Sequence, residues 1–225
     1  MSLFWSVIQQ AIPLALQHIA LSVPAIVIGF VLAVPLGWLA NRYRVTRGVL
    51  LSIVSILYAV PSFALLFVIP VLIGTRILDP LNLVVILSVY AVAIMVRTAA
   101  DAFAAVPGDV LQSATAVGFS SWRRFWAVEL PLAGEVLISG LRVVSVSTVS
   151  LTTVGALIGN GGLGQLFTDG YQRLFIEEVV VGIVGTVVIA VVFDLVIVLV
   201  GRFAMPWRRT ERHKPSGAQA EAALA

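Results

Sequence analysis

Long apolar runs separated by short polar stretches set the pattern of the chain. They predict five membrane crossings, near Leu16 to Ala40, Val49 to Ile73, Leu81 to Ala105, Val136 to Ile158 and Val179 to Phe203. A helix needs ~20 apolar residues to cross the hydrocarbon core, and no sixth run is long enough. The opening stretch Ser2 to Gln17 mixes apolar residues at helical spacing with Gln9, Gln10 and Pro13. It is expected as an interfacial helix leading into span one, with Phe4 and Trp5 at headgroup level. Pro61 is expected to bend span two, since helix breaks are tolerated where the freed backbone groups face protein or a cavity. His18 is expected near the outer interface. The fold class is therefore all-α, a polytopic integral membrane protein.

Composition agrees and narrows the chemistry. Of 225 residues 60% are hydrophobic and 11% charged, with a mean hydropathy of +1.07. A soluble domain carries roughly 25% charged residues. A water-soluble enzyme, a disordered chain and a coiled coil are excluded. There is no cysteine, and the two histidines, His18 and His213, lie far apart. That removes disulfides, thiolate catalysis and cysteine-ligated metals and argues against a metal site.

The scarce charges give an orientation. Arg42, Arg44 and Arg47 follow span one, Arg123 and Arg124 follow span three, and Arg202, Arg208, Arg209, Arg212 and Lys214 follow span five, whereas Arg76 and Arg173 alone fall in the other loops. Lys and Arg accumulate on the cytoplasmic side, so the N-terminus is expected outside and the C-terminus inside. The net charge of +3 thus reads as loop orientation and not as nucleic-acid binding. Residues 208–225 are expected to form a disordered or weakly helical cytoplasmic tail.

Between Pro107 and Glu135 the composition turns polar. Asp109 is the expected N-cap of a short helix that ends at Gly118, and Ser120-Ser121 start a second that stops before Pro131. Gln112, Thr115 and Phe119 would show on one side of this knob, while Trp122, Phe125 and Trp126 lie against the membrane floor. The segment Gln112-Ser113-Ala114, three residues, Gly118, nine residues, then Val128-Glu129-Leu130-Pro131 resembles the EAA loop of bacterial ABC importer permeases, E-A-A-x3-G-x9-I-x-L-P. The chain departs from it at Gln112 for Glu, Ser113 for Ala and Val128 for Ile. Gln112 puts in doubt any ion pair the family makes there. Gly140-Leu141-Arg142 is similar to the family's continuation into the next span.

The resemblance implies that Gln112, Ser113, Ala114, Gly118, Phe119, Ser120, Leu130 and Pro131 belong to a coupling loop docked on an ATP-binding subunit. It also implies one permease domain over 1–207 in the bacterial cell membrane. The expected partners are two ATP-binding subunits, a second permease copy or a similar permease, an extracytoplasmic binding protein and lipid. ATP is used by the partner subunits, with no cofactor held by this chain and no catalysis of its own.

After span four comes Gly159-Asn160-Gly161-Gly162-Leu163-Gly164. It is neither a G-x-G-x-x-G following a strand nor a P-loop with Lys-Ser/Thr, so a nucleotide cradle is excluded. A re-entrant turn or a tight seat for a partner fits better. The run Ile158 to Gly164 is similar to osmoprotectant permeases, whose cargo is glycine betaine, choline, carnitine or proline betaine. Methionine and phosphonate importers have similar glycine runs, so the same machinery with another small solute stays open, as does an ATP-independent secondary transporter.

Arg97, Asp101, Arg142 and Asp194 fall inside apolar runs, where unpaired charge costs several kcal/mol. Arg97 and Asp101, four apart, are expected to pair on one helix face. Arg142 is expected to reach Asp194 or that pair and so tie spans three, four and five; the alternative is that Asp194 holds a cationic solute. Tyr58, Phe63, Phe67 and Tyr90 are candidate path-lining aromatics, because a ring face attracts a cation that has no N–H to donate. Packing and interfacial belts are the competing use of such rings.

Overall fold

The computed structural model describes residues 2–206, so Trp207 and the expected tail over 208–225 lie outside the described residues. The chain forms α1 (Ser2–Arg42), α2 (Arg44–Ala59), α3 (Ser62–Ile73), α4 (Pro80–Ala104), α5 (Gly108–Ala116), α6 (Ser121–Arg124), α7 (Leu130–Thr152), α8 (Gly164–Gln172) and α9 (Ile176–Ala204). A π-helical turn over Phe125–Glu129 precedes α7, and a 3-10 turn over Thr153–Ile158 follows it. Among the described residues four helices are long and apolar enough to cross a membrane, and the bent pair α2 and α3 makes a fifth if it counts as one span.

That pair runs the length of α4. Near its start Arg47 pairs with Asp101 close to the end of α4, and beyond its end the Thr75 hydroxyl bonds Asn82 at the beginning of α4. The two ends of α2 and α3 therefore lie at opposite ends of α4. The expected bend at Pro61 is a 105° break.

The centre is α4, whose Leu83, Leu87, Met95, Val96, Ala99 and Phe103 are buried. Asp79 caps its start by accepting from the Leu81 N–H at 2.9 Å, with Pro80 in the first turn, where its missing N–H costs nothing. Against it runs a strip of small residues on α1. A Cβ on Gly29 would strike Ala91, and one on Gly37 would strike Ala99 and Ala100. Small residues let membrane helices approach this closely, where lipid offers no hydrophobic driving force between them.

The structure corrects the expected start of the chain. There is no separate interfacial helix: the first turns are continuous with span one in a helix of 41 residues. Pro13, Pro24 and Pro35 all fall on its exposed side. Across Pro13, the residues Ala11, Leu14, Ala15 and Ile19 pack onto the cluster of Leu163, Leu166 and Ile189, and that burial holds the helix through the proline. Trp5 is 62% exposed.

A second correction concerns Pro131. The helix expected to stop before it instead runs from α6 through the π turn into α7, and the Leu130 N–H reaches the Phe125 carbonyl. The wide turn absorbs the donor that Pro131 lacks. The helix that carries span four therefore begins before Val136, with α7 itself starting at Leu130.

Candidate functional site

The polar knob between α4 and α7 is built on a glycine bend. α5 follows Pro107, which takes the cap position expected for Asp109; Asp109 instead lies in the first turn, where a negative charge suits the helix dipole. Gly118 has φ +90, and the next residue, Phe119, donates its N–H back to the Ala114 carbonyl at 3.0 Å. Ser120 then caps α6 by accepting from the Arg123 N–H at 3.3 Å. Of the expected loop residues, Gln112, Ser113, Gly118 and Ser120 are exposed, while Ala114 and Phe119 are half-buried, Phe119 beneath the Arg123 guanidinium at 4.4 Å. No residue of α5 is buried.

What holds this knob is a residue the sequence pattern treats as free. Glu129, just before Leu130 and Pro131, is 6% exposed. One of its oxygens accepts from Trp38 Nε1 on α1 and the other from Arg124 Nε, both at 2.8 Å. Arg124 goes on to donate to the Thr115 hydroxyl of α5 at 2.9 Å, and Arg42 at the end of α1 donates to Ser121 at 3.2 Å. A buried carboxylate needs such satisfied partners. Phe125 does not lie on the membrane floor as expected: it is buried between Trp38 and Phe103, at centroid distances of 5.1 and 5.8 Å. Trp122 and Trp126 remain exposed. The loop is thus tied to α1 and α4 while α5 stays open. The acid of a Val-Glu-Leu-Pro run beside two arginines was the available signal, but its partner Trp38 is 91 residues away in the chain.

At the opposite end of the bundle the glycine run has another use. Gly159 and Gly162 have φ of +75 and +51. A Cβ on Gly162 would come within 2.7 to 2.8 Å of the His18 backbone and Cβ, one on Gly161 would strike Ala156, and one on Gly164 would strike Thr153. The tight seat is for the chain's own α1. Asn160 donates to the Leu78 carbonyl at 2.6 Å, joining this loop to the turn between α3 and α4. His18 is fully buried, with Nε2 at 2.9 Å from the Val149 carbonyl of α7.

The intramembrane charges divide differently from the expectation. Arg97 and Asp101 do not pair. Asp101 takes Arg47 at 2.7 Å, and Arg97 donates to the Ser55 hydroxyl at 2.9 Å. Both partners sit on α2, which packs beside α4 and offers closer groups than the residue one turn away. Arg142 does reach Asp194, through two parallel bonds of 2.6 and 2.8 Å. This fork ties α7 to α9 and leaves α4 out; α4 meets α7 instead where a Cβ on Gly140 would strike Thr98.

Of the candidate aromatics, Tyr58 and Tyr90 meet edge to face at 5.9 Å beside the α2–α3 break, whereas Phe63 pairs with Phe67 on α3. No group of three or more His, Cys, Asp and Glu side chains suited to a metal occurs among the described residues.

Known proteins give the arrangement a family. The family described as binding-protein-dependent transport system inner membrane component matches residues 25–209. The choline transport system permease protein OpuBB of Bacillus subtilis is 31% identical over 84% of this chain and 86% of its own length. The osmoprotectant import permease protein OsmW of Salmonella typhimurium is 30% identical over 80% and 85%. The glycine betaine/carnitine/choline transport system permease protein OpuCB of Bacillus subtilis is 29% identical over 84% and 86%. Among solved structures, an inward-facing form of the MetNI methionine ABC transporter superposes with a TM-score of 0.69, covering 92% of this chain and 97% of its own, at 22% identity, a likeness of fold. The chain therefore belongs to the family of binding-protein-dependent transport system inner membrane components, the permease subunits of ABC importers.

Proposed function

We propose that this permease carries small quaternary-amine osmoprotectants, such as glycine betaine, choline or carnitine, inward across the bacterial cell membrane. The observation that carries this reading is identity of about 30% across most of the chain to permeases named for that cargo. The likeness to a methionine transporter is one of fold and names no cargo here.

In this reading Gln112 to Ser120 dock on an ATP-binding subunit, one for each of two permease copies, and a binding protein delivers solute at the face that carries the glycine run. The arginine distribution supports an N-terminus outside and the loop over 107–135 in the cytoplasm. Closure of the ATP-binding subunits on ATP would draw the two loops together. The path from α5 through Arg124, Glu129 and Trp38 into α1 would carry that motion, since hydrogen-bond networks between rigid elements are one physical route for coupling. Asp194, held by Arg142, serves the joint between α7 and α9 in place of cargo.

Reconstitution with the partner subunits and uptake of labelled glycine betaine, choline and methionine in competition tests the reading. ATP-dependent uptake of a quaternary amine, unaffected by excess methionine, is expected. Uptake of methionine alone, or uptake with no ATPase present, overturns it.

A further inference from the structure

One side of the molecule opens deep within the spanning region, with polar groups set among apolar ones. Where α2 breaks, Pro61 has no N–H for the Leu57 carbonyl, which accepts from Val60 at 3.3 Å instead, and the Tyr90 hydroxyl donates to the Val60 carbonyl. A cavity of about 360 Å³ opens there, lined by Tyr58, Pro61, Ser62, Tyr90, Ser147 and Thr148 among others. Tyr90 lies near the middle of the 25-residue α4, so the cavity sits near mid-membrane. One turn before Tyr58, Ser55 accepts from Arg97 at the edge of a second opening with Ser52 and Ile56.

Among the described residues no carboxylate lies within ion-pair distance of Arg97, unlike Arg47 and Arg142 on the same bundle. An unpaired guanidinium and a broken backbone are both excluded from lipid contact. Their coincidence on one face makes that face a border with water or protein.

We propose that this face is a wall of the solute path, and that it takes a quaternary amine bearing a carboxylate, with the ammonium at the Tyr58 and Tyr90 rings and the carboxylate at Arg97. The proposal rests on the function proposed above. A cation is held within ~6 Å of a ring centroid, and a carboxylate lies ~2.8 Å from a guanidinium. Tyr90 and Arg97 are two turns apart on α4, about 10 Å along the axis at ~1.5 Å per residue, a gap that a betaine with charges a few bonds apart can bridge. Choline, which lacks the carboxylate, leaves Arg97 without its counter-charge.

The cysteine-free sequence permits a direct test in the assembled importer in membrane vesicles. Ser55→Cys and Ser147→Cys are compared with Val187→Cys, which lies on the exposed side of α9, for reaction with a trimethylammonium-ethyl methanethiosulfonate. We expect the first two to react at least tenfold faster than the third. Glycine betaine with its loaded binding protein should slow them at least threefold and choline less; Arg97→Gln should abolish the betaine protection, and Arg97→Lys should keep part of it, which also guards against a neutral residue disturbing the fold.

Reactivity no greater than at Val187→Cys overturns the proposal, as does a disulfide between copies at Ser55→Cys without reaction, which makes the face an interface. Protection unchanged in Arg97→Gln overturns the carboxylate site. Absence of ATP-dependent quaternary-amine uptake by the unmodified importer counts instead against the proposed function.

Discussion

At one end of the bundle α5 has no buried residue, while at the other Gly161, Gly162 and Gly164 press so closely on α1 and the turn after α7 that no Cβ fits. Both loops connect membrane helices, both turn on a glycine with positive φ, and both are fastened to α1, through Trp38 at one end and His18 at the other. They differ in what fastens them. The loop over 107–135 is held from beneath by one buried carboxylate and a cluster of rings, which leaves its helix free to meet another surface. The glycine loop is held by backbone against backbone and closes on itself. A glycine-rich stretch in a transporter thus need not be a ligand cradle, and openness together with a firm base is what the proposed docking on an ATP-binding subunit requires.

The comparison can be broken most sharply at Gly162. Gly162→Val adds left-handed strain and a clash with the His18 backbone, together about 3 kcal/mol or more, and should remove the monodisperse permease peak in detergent gel filtration. A folded, fully active Gly162→Val protein would mean that the loop is not seated as described. Next in size is Glu129→Ala, which leaves the Trp38 indole and the Arg124 guanidinium without their acceptor. A hydrogen-bonded charge of this kind contributes about 2 kcal/mol. The permease should still insert, but ATP hydrolysis in the complex should lose its stimulation by loaded binding protein; Glu129→Gln should retain part of it through Trp38. The smallest effect is expected at Gly118→Ala. Its φ of +90 makes alanine strained, but nothing lies within 4 Å of the new Cβ, so the cost is about 1 to 2 kcal/mol of backbone strain. Uptake should fall severalfold with the yield of folded protein unchanged, in contrast to Gly162.

Much of this was legible in the sequence. Runs of apolar residues located four straight spans and the bent one, because length and hydropathy alone decide what can cross a bilayer. The glycine bend at Gly118 and the Arg142–Asp194 pair were also readable, the one from local chemistry and the other from the scarcity of partners for a charge within the apolar runs. The errors were tertiary. Pro13 carries the signal of a helix end, but packing of Leu14 and Ile19 on α8 and α9 overrides it. Arg97 and Asp101 carry the spacing of an ion pair, but Ser55 and Arg47 on the neighbouring helix are better placed. Glu129, the anchor of the loop over 107–135, could not be recognised without Trp38, which only the fold brings to it.

The central claim is that the open loop, and not the sealed one, meets the ATP-binding subunit. A photo-crosslinking residue placed at Gln112 on α5, and in a second protein at Tyr171, which is 79% exposed beside the glycine loop, tests it in the assembled importer. The account predicts a covalent adduct with the ATP-binding subunit from position 112 and none from position 171. An adduct from position 171, or none from position 112, would contradict it.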